Sequence, residues 1–152
     1  MISHSISHGI NGHANIPGDK SISHRSIIIP SISSGICEID NILKSDDVLH
    51  TLKAFKDMGV KIEESSNKIL IHGKGLNSLK KPKNKIYLGN SGTSARLLTG
   101  LLSSQKFETI LAGDNSLSKR PMKRIIDPLK KMNAQIASID GTMPLTIKGC
   151  NL

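Results

Sequence analysis

Two short stretches of this sequence bring small residues, hydroxyls and cations together just ahead of apolar runs. The first, GDKSISHR, holds Lys20, Ser21 and Arg25; the second, GNSGTSAR, holds Asn90, Ser91, Gly92 and Thr93. Glycine, serine and arginine recur at the same three places in both. Each stretch reads as the approach to a helix, and a helix start suits an anion because its free N–H groups and dipole face the ligand. Gly92 lets a ligand come close to the backbone. Arg25, about one helical turn after Ser21, can reach back toward the same anion with its guanidinium fork. Lys119 and Arg120 directly precede Pro121, which reads as the first residue of a further helix. Cations there oppose the dipole, whereas the matching place in the first half carries Ser45, Asp46 and Asp47, which suit it. Such a local conflict is expected where an anion is to be bound.

The composition narrows the chemistry. With 21 Lys+Arg against 12 Asp+Glu the chain carries +9, which favours nucleic acid, an acidic surface or a phosphorylated metabolite. Base-stacking rings are scarce: Phe55, Tyr87 and Phe107 are the only aromatics besides histidine, and both Phe lie in apolar patterns. No metal spacing joins His4, His8 and His13 near the start, or His24, His50 and His72 further on. Ser21 has no His–Asp arrangement near it in sequence, which argues against a hydrolase nucleophile. Cys37 and Cys150 match no redox or metal pattern and are read as reduced structural thiols. No apolar run is long enough to span a membrane and the first residues, MISHSISHGINGH, do not read as a signal peptide, so the expectation is a soluble, cytoplasmic protein.

These residues need elements to hold them, and the chain reads as two copies of a unit of roughly seventy residues. After each motif comes an apolar helical run, then a short strand (CEIDNIL or FETILAG) and a second helix, DDVLHTLKAFKDMGVKI or PMKRIIDPLKKMNAQI. Leu52/Ile126, Phe55/Leu129, Met58/Met132 and Ile62/Ile136 align between the two, with helical spacing as far as the methionines. Ser45 is placed to cap the first of these helices, and Gly59 and Asn133 stand as matching stop signals. Paired strand-like pieces close each half: VKIEE with KILIHG, then AQIAS with MPLTIKG. LNSLKKPKNK reads as a solvated connecting loop, while Pro30, Gly100 and Pro128 fall inside helical patterns. The class is α/β (α+β), with units at about 18–80 and 85–152 and a short lead over 1–17.

IPGDKSISHRS, SDDV, LGNSGTSARLL and GDNSLSKRPM stand in this order from about Ile16 onward. In this the chain resembles the 5-enolpyruvylshikimate-3-phosphate synthases, in their class II bacterial form. The resemblance implies βαβαββ units of the inverse α/β barrel type. It also implies transfer of the enolpyruvyl group of phosphoenolpyruvate to the 5-hydroxyl of shikimate 3-phosphate, with release of phosphate, on the way to chorismate and the aromatic amino acids. No metal and no organic cofactor is implied. Carried over by motif, Lys20 contacts both substrates; Ser21 and Arg25 hold the shikimate phosphate; Asn90, Gly92, Thr93 and Arg120 line the phosphoenolpyruvate site. Lys20 and Arg120 are the residues expected to act in catalysis, by neutralising phosphate and carboxylate. In the related UDP-N-acetylglucosamine enolpyruvyl transferases a Cys-bearing loop precedes an Arg–Pro pair; here that place is Asn115, and Ser follows Lys20, which favours the shikimate branch.

Family members have two domains of three units each, so two units are expected to make a partial domain, its lead strand belonging to the other domain. The family's third-unit Ser-Ser-Gln loop and its acid–base residues lie later in its chain than these residues. The alternatives are a catalytically inactive product of a split or degraded gene, a half completed by a second chain, and a basic nucleic-acid module. The last separates cleanly from the rest: such a module would bind mixed-sequence DNA with an affinity that falls steeply with salt, whereas no retention on DNA is expected at roughly 0.15 M salt.

Overall fold

The computed structural model describes residues 11–14, 16–66 and 68–150. Helix α1 (Lys20–Ile32) opens the first half, followed by strand β1 (Ser34–Asp40), helix α2 (Asp46–Asp57) and strands β2 (Lys61–Glu64) and β3 (Lys68–Lys74). A single 3-10 turn at Leu76–Ser78 leads to strand β4 (Ile86–Tyr87), helix α3 (Gly92–Ser103), strand β5 (Glu108–Ala112), the one-turn helix α4 (Asn115–Ser118) and helix α5 (Lys123–Lys131). Strands β6 (Gln135–Ile139) and β7 (Thr142–Lys148) finish the second half. The element order is thus αβαββ and then βαβααββ. The lead-strand expectation falls mainly on residues 1–10, outside those described, and residues 11–14, 16 and 17 form neither helix nor strand.

Each half builds its own sheet. The first is antiparallel in the order β1-β3-β2, the second runs β4-β5-β7-β6, with β4 parallel to β5 across the α3 crossover and the other pairs antiparallel. The central strands β3 and β7 alternate inside and outside, as strands with one covered face must. The sheets' covered faces and the helices enclose one continuous core, in which Ile27, Phe55, Met58, Ile71, Leu98, Leu102, Leu111 and Leu145 are fully buried.

Several expectations hold at the residue level. Gly59 and Asn133 end their helices with φ of 86° and 70°, the left-handed turn a helix stop requires. Ser45 stands at the cap position of α2 with Asp46 and Asp47 in the first turn, although its hydroxyl makes no capping bond. Others shift. Strand β1 starts three residues before the expected CEIDNIL and ends at Asp40, because Asn41, at φ 53°, turns the chain away. The aligned methionines part company: Met58 is fully buried, its carbonyl accepting from Lys80 N–H at 2.9 Å as the connector folds back, whereas Met132 is exposed.

Pro121 does not begin the last helix. Met122 is fully buried and its N–H donates to the Gly141 carbonyl at 2.8 Å, so the chain is held to the β6–β7 turn and α5 starts at Lys123. The segment before it forms α4, capped by Asp114, whose side chain accepts from Leu117 N–H at 2.7 Å. Lys119 is the residue that closes α4, where carbonyls face it, so it is not set against a helix start; the cations that open α5 are Lys123 and Arg124 instead.

Where α1 ends, it presses on β3. A methyl group at Gly73 would lie 2.1 Å from the Pro30 carbonyl oxygen and 2.3 Å from that of Ser33, both backbone atoms that cannot swing aside. At Gly100, inside α3, a methyl group would meet nothing within 4 Å. Gly73→Ala is therefore expected to cost about 1–3 kcal/mol. Gly100→Ala should add up to about 1 kcal/mol by helix propensity. Urea unfolding of the two variants checks both signs.

Candidate functional site

Helix α1 begins at Lys20 itself, because Asp19 caps it: the Asp19 carboxylate accepts from Ile22 N–H at 2.7 Å. Lys20 and Ser21 are thus the first two helical residues rather than the approach to the helix. In the second half the helix starts one place later in the matching motif. Ser91 is the cap, its hydroxyl accepting from Ser94 N–H at 3.2 Å, and Gly92 is the first helical residue.

At the start of α1, the Lys20 ammonium is paired with the carboxylate of Asp47, which comes from the first turn of α2. Ser21 and Arg25 are exposed on the same helix, one turn apart, as a shared anion would require. This group therefore carries its own counter-charge, which a bound phosphate would share or replace.

The start of α3 is built differently. Arg120 Nη2 donates to Asn90 Oδ1, which brings the two residues together across thirty positions of sequence. A Cβ placed on Gly92 would lie 3.1 Å from Arg120 Nη1 and 3.2 Å from Arg96 Nη1. Two guanidinium groups therefore converge on the small space that the missing side chain leaves free, and Thr93 is exposed beside it. The Nε of Arg96 is buried and has no hydrogen-bond partner. Two cations brought this close, with the neutral Asn90 oxygen as their acceptor, repel each other until an anion sits between them. A carboxylate or phosphate oxygen is the group that fits, gaining both forks and the dipole of a twelve-residue helix.

Arg96 is the residue that reading by motif missed. Its signal was present: it stands four places after Gly92, as Arg25 stands four places after Ser21. Behind both helix starts lies His24, fully buried on α1. Burial holds its pKa below 6.5, with Lys20 pushing the same way and Asp47 opposing. Cys37 and Cys150 are free thiols. Among the described residues no group of three His, Cys, Asp or Glu side chains could hold a metal, and no helix is long and apolar enough to cross a membrane.

The fold is shared with known proteins. A solved enolpyruvyl transferase, NikO from Streptomyces tendae, matches over 85% of this chain with a TM-score of 0.52 at 15% identity, a likeness of fold alone. The structure of EPSP synthase from Acinetobacter baumannii matches far more closely, with a TM-score of 0.87 and 50% identity over 91% of this chain. Among sequences, the 3-phosphoshikimate 1-carboxyvinyltransferase of Ruthia magnifica is 56% identical over 140 residues and that of Lactococcus lactis subsp. cremoris 50% over 145. The family model for EPSP synthase (3-phosphoshikimate 1-carboxyvinyltransferase) matches residues 5–152. The chain belongs to the EPSP synthase family. It covers 92% and 94% of itself in those two sequence matches but spans only 32–34% of the relatives' own length, and 32% of the Acinetobacter chain.

The Gly92 geometry makes a direct prediction. In Gly92→Ala the added methyl group occupies the space on which both guanidinium groups converge, and the flexible ends of Arg96 and Arg120 move by a few tenths of an ångström to admit it. The fold should survive, with unfolding free energy within about 1 kcal/mol. Affinity for inorganic phosphate, read by amide shifts of the first turn of α3, should fall about tenfold or more.

Proposed function

We propose that this chain supplies the phosphate- and carboxylate-holding part of the enolpyruvyl transfer from phosphoenolpyruvate to the 5-hydroxyl of shikimate 3-phosphate. The observation that carries the reading is the pair of guanidinium groups, Arg96 and Arg120, meeting at Gly92 on the start of α3. The match to the EPSP synthase family over residues 5–152 supports the choice of substrates. Two polyanionic substrates also account for the basic clusters without nucleic acid.

In this reading Lys20, Ser21 and Arg25 hold the shikimate phosphate at the start of α1, and Lys20 also faces phosphoenolpyruvate. Asn90, Gly92, Thr93 and Arg120 hold phosphoenolpyruvate, with Arg96 as the second fork. The 5-hydroxyl of shikimate 3-phosphate gives its proton to a base as its oxygen bonds to C2 of phosphoenolpyruvate, while the methylene C3 takes a proton from an acid. The C2–O bond to phosphate then breaks, C3 returns its proton, and inorganic phosphate leaves with the electron pair of that bond. Lys20 and Arg120 stabilise the charge of the tetrahedral intermediate and of the departing phosphate. The proton transfers need an acid and a base. We assign these to the parts of a relative-length protein that lie beyond this match, whether on the same polypeptide or on a second chain. Residues 18–152 then form part of one domain, with units at about 18–80 and 85–152, and residues 1–17 lead in from the other. No metal or organic cofactor takes part, and the setting is the cytoplasm.

The test has two arms. Phosphoenolpyruvate added to the isotopically labelled chain should shift the amides of Gly92 and Thr93, and Arg120→Ala should weaken that response tenfold or more, about 1.4 kcal/mol. Mixed with both substrates, the chain alone should release no phosphate above a Lys20→Ala control. Binding that ignores Arg120 would overturn the site. Turnover that disappears in the Lys20→Ala control would show that the remaining groups are dispensable or supplied by self-assembly.

A further inference from the structure

A line of buried polar groups runs where the two halves meet, and the reaction described above does not use it. His24, Thr51, Ser91 and Ser94 are all fully buried. His24 Nδ1 lies 2.8 Å from Thr51 Oγ1, Thr51 Oγ1 lies 2.5 Å from Ser94 Oγ, and Ser94 Oγ lies 2.5 Å from Ser91 Oγ. These contacts join α1, α2 and α3 across separations of 27 and 43 residues. Apolar side chains would fill such a place at lower cost, since a buried hydroxyl is unfavourable unless it is bonded.

Counting protons gives the line a direction. The Thr51 hydroxyl donates to the Asp47 carbonyl at 3.2 Å, and that oxygen can only accept. Thr51 has a single proton; with that proton on the Asp47 carbonyl, the one between Thr51 and His24 comes from Nδ1. Ser94 then donates to Thr51, and Ser91 donates to Ser94 while accepting the Ser94 N–H that makes it the cap of α3. Every hydroxyl proton is used. The remaining atom, His24 Nε2, is buried without a partner, which a bare lone pair tolerates better than an N–H would. The lowered pKa of His24, held down first by burial, agrees with a neutral ring.

Each end of the line touches one of the two anion-holding groups. Asp47, whose carbonyl ends it, pairs with Lys20 through its carboxylate, while Ser91 directly precedes Gly92. We propose that His24 is a positioning residue: as the Nδ1–H donor to Thr51 it fixes, through Thr51 and Ser94, the Ser91 cap and the first turn of α3 relative to the start of α1. The two substrate-holding helix starts are thereby kept in one register. The role this serves rests on the proposed function, but the register itself is measurable without substrate.

Two measurements decide it. In the substrate-free chain at pH 8 to 6, long-range proton–nitrogen spectra should show His24 as the Nδ1–H tautomer with Nε2 bare. An Nε2–H tautomer would reverse the line and overturn the proposal. Amide exchange then tests transmission. His24→Leu and Thr51→Val remove the donor or its receiver, and exchange at Ser94 and Ala95 should rise about tenfold or more while Ile71 on β3 stays protected. His24→Asn, which keeps an N–H in the place of Nδ1, should restore protection. Wild-type protection of α3 in Thr51→Val, or no rescue by asparagine, would overturn it. Thr51→Val preserves side-chain shape, so this arm stands even where His24→Leu fails to fold. Phosphoenolpyruvate binding plays no part in either readout, so failure here and failure of the substrate assignment are distinct results.

Discussion

The Thr51 hydroxyl is the point on which three helices depend. It lies within hydrogen-bond reach of His24 on α1, of Ser94 on α3 and of the Asp47 carbonyl on its own helix, and it is fully buried. In such surroundings a polar group left without a partner costs about 1–3 kcal/mol, so the three contacts hold or fail together. The starts of α1 and α3, which carry the cations, inherit their relative placement from this junction.

The two helix starts treat their charge differently. Lys20 is met by Asp47, so its ammonium is oriented and partly neutralised within the protein. Arg96 and Arg120 meet around Gly92 with the Asn90 amide oxygen as the acceptor for Arg120, which leaves their repulsion largely uncompensated. An anion therefore has more to gain at α3 than at α1. Leu98 and Leu102 on α3 are fully buried, as are Leu117 and Met122 on the segment that delivers Arg120.

What could be read from the sequence follows from how locally each feature is determined. Helix α2, the strands β3 and β7 and the stops at Gly59 and Asn133 are set by spacing and by backbone preference within a few residues, and they stood out. Lys20, Asn90, Gly92 and Arg120 could be named from motifs, and the structure brings Asn90, Gly92 and Arg120 into one group. Helix α4 is a single turn with too few residues for a period to show. The late start of α5 depends on a bond from Met122 to Gly141, nineteen positions away. His24 looked like one more isolated histidine, because its partner lies on another helix and the chain's spacing carries no trace of that contact.

The junction also bears on the repeat itself. In the aligned motifs Ser23 stands opposite Ser94, but His24 stands opposite Ala95. Ser23 serves its own half, donating to the Asp19 carbonyl and accepting from Leu43 N–H, whereas Ser94 reaches across to Thr51. Ala95 is fully buried, so an imidazole in its place would have no room. Two copies of the first half would thus collide at the position of Ala95, and two copies of the second would lack the donor at the head of the line. Whatever symmetry an ancestral duplication began with, the halves are now complementary rather than interchangeable, and neither can be recovered by copying the other.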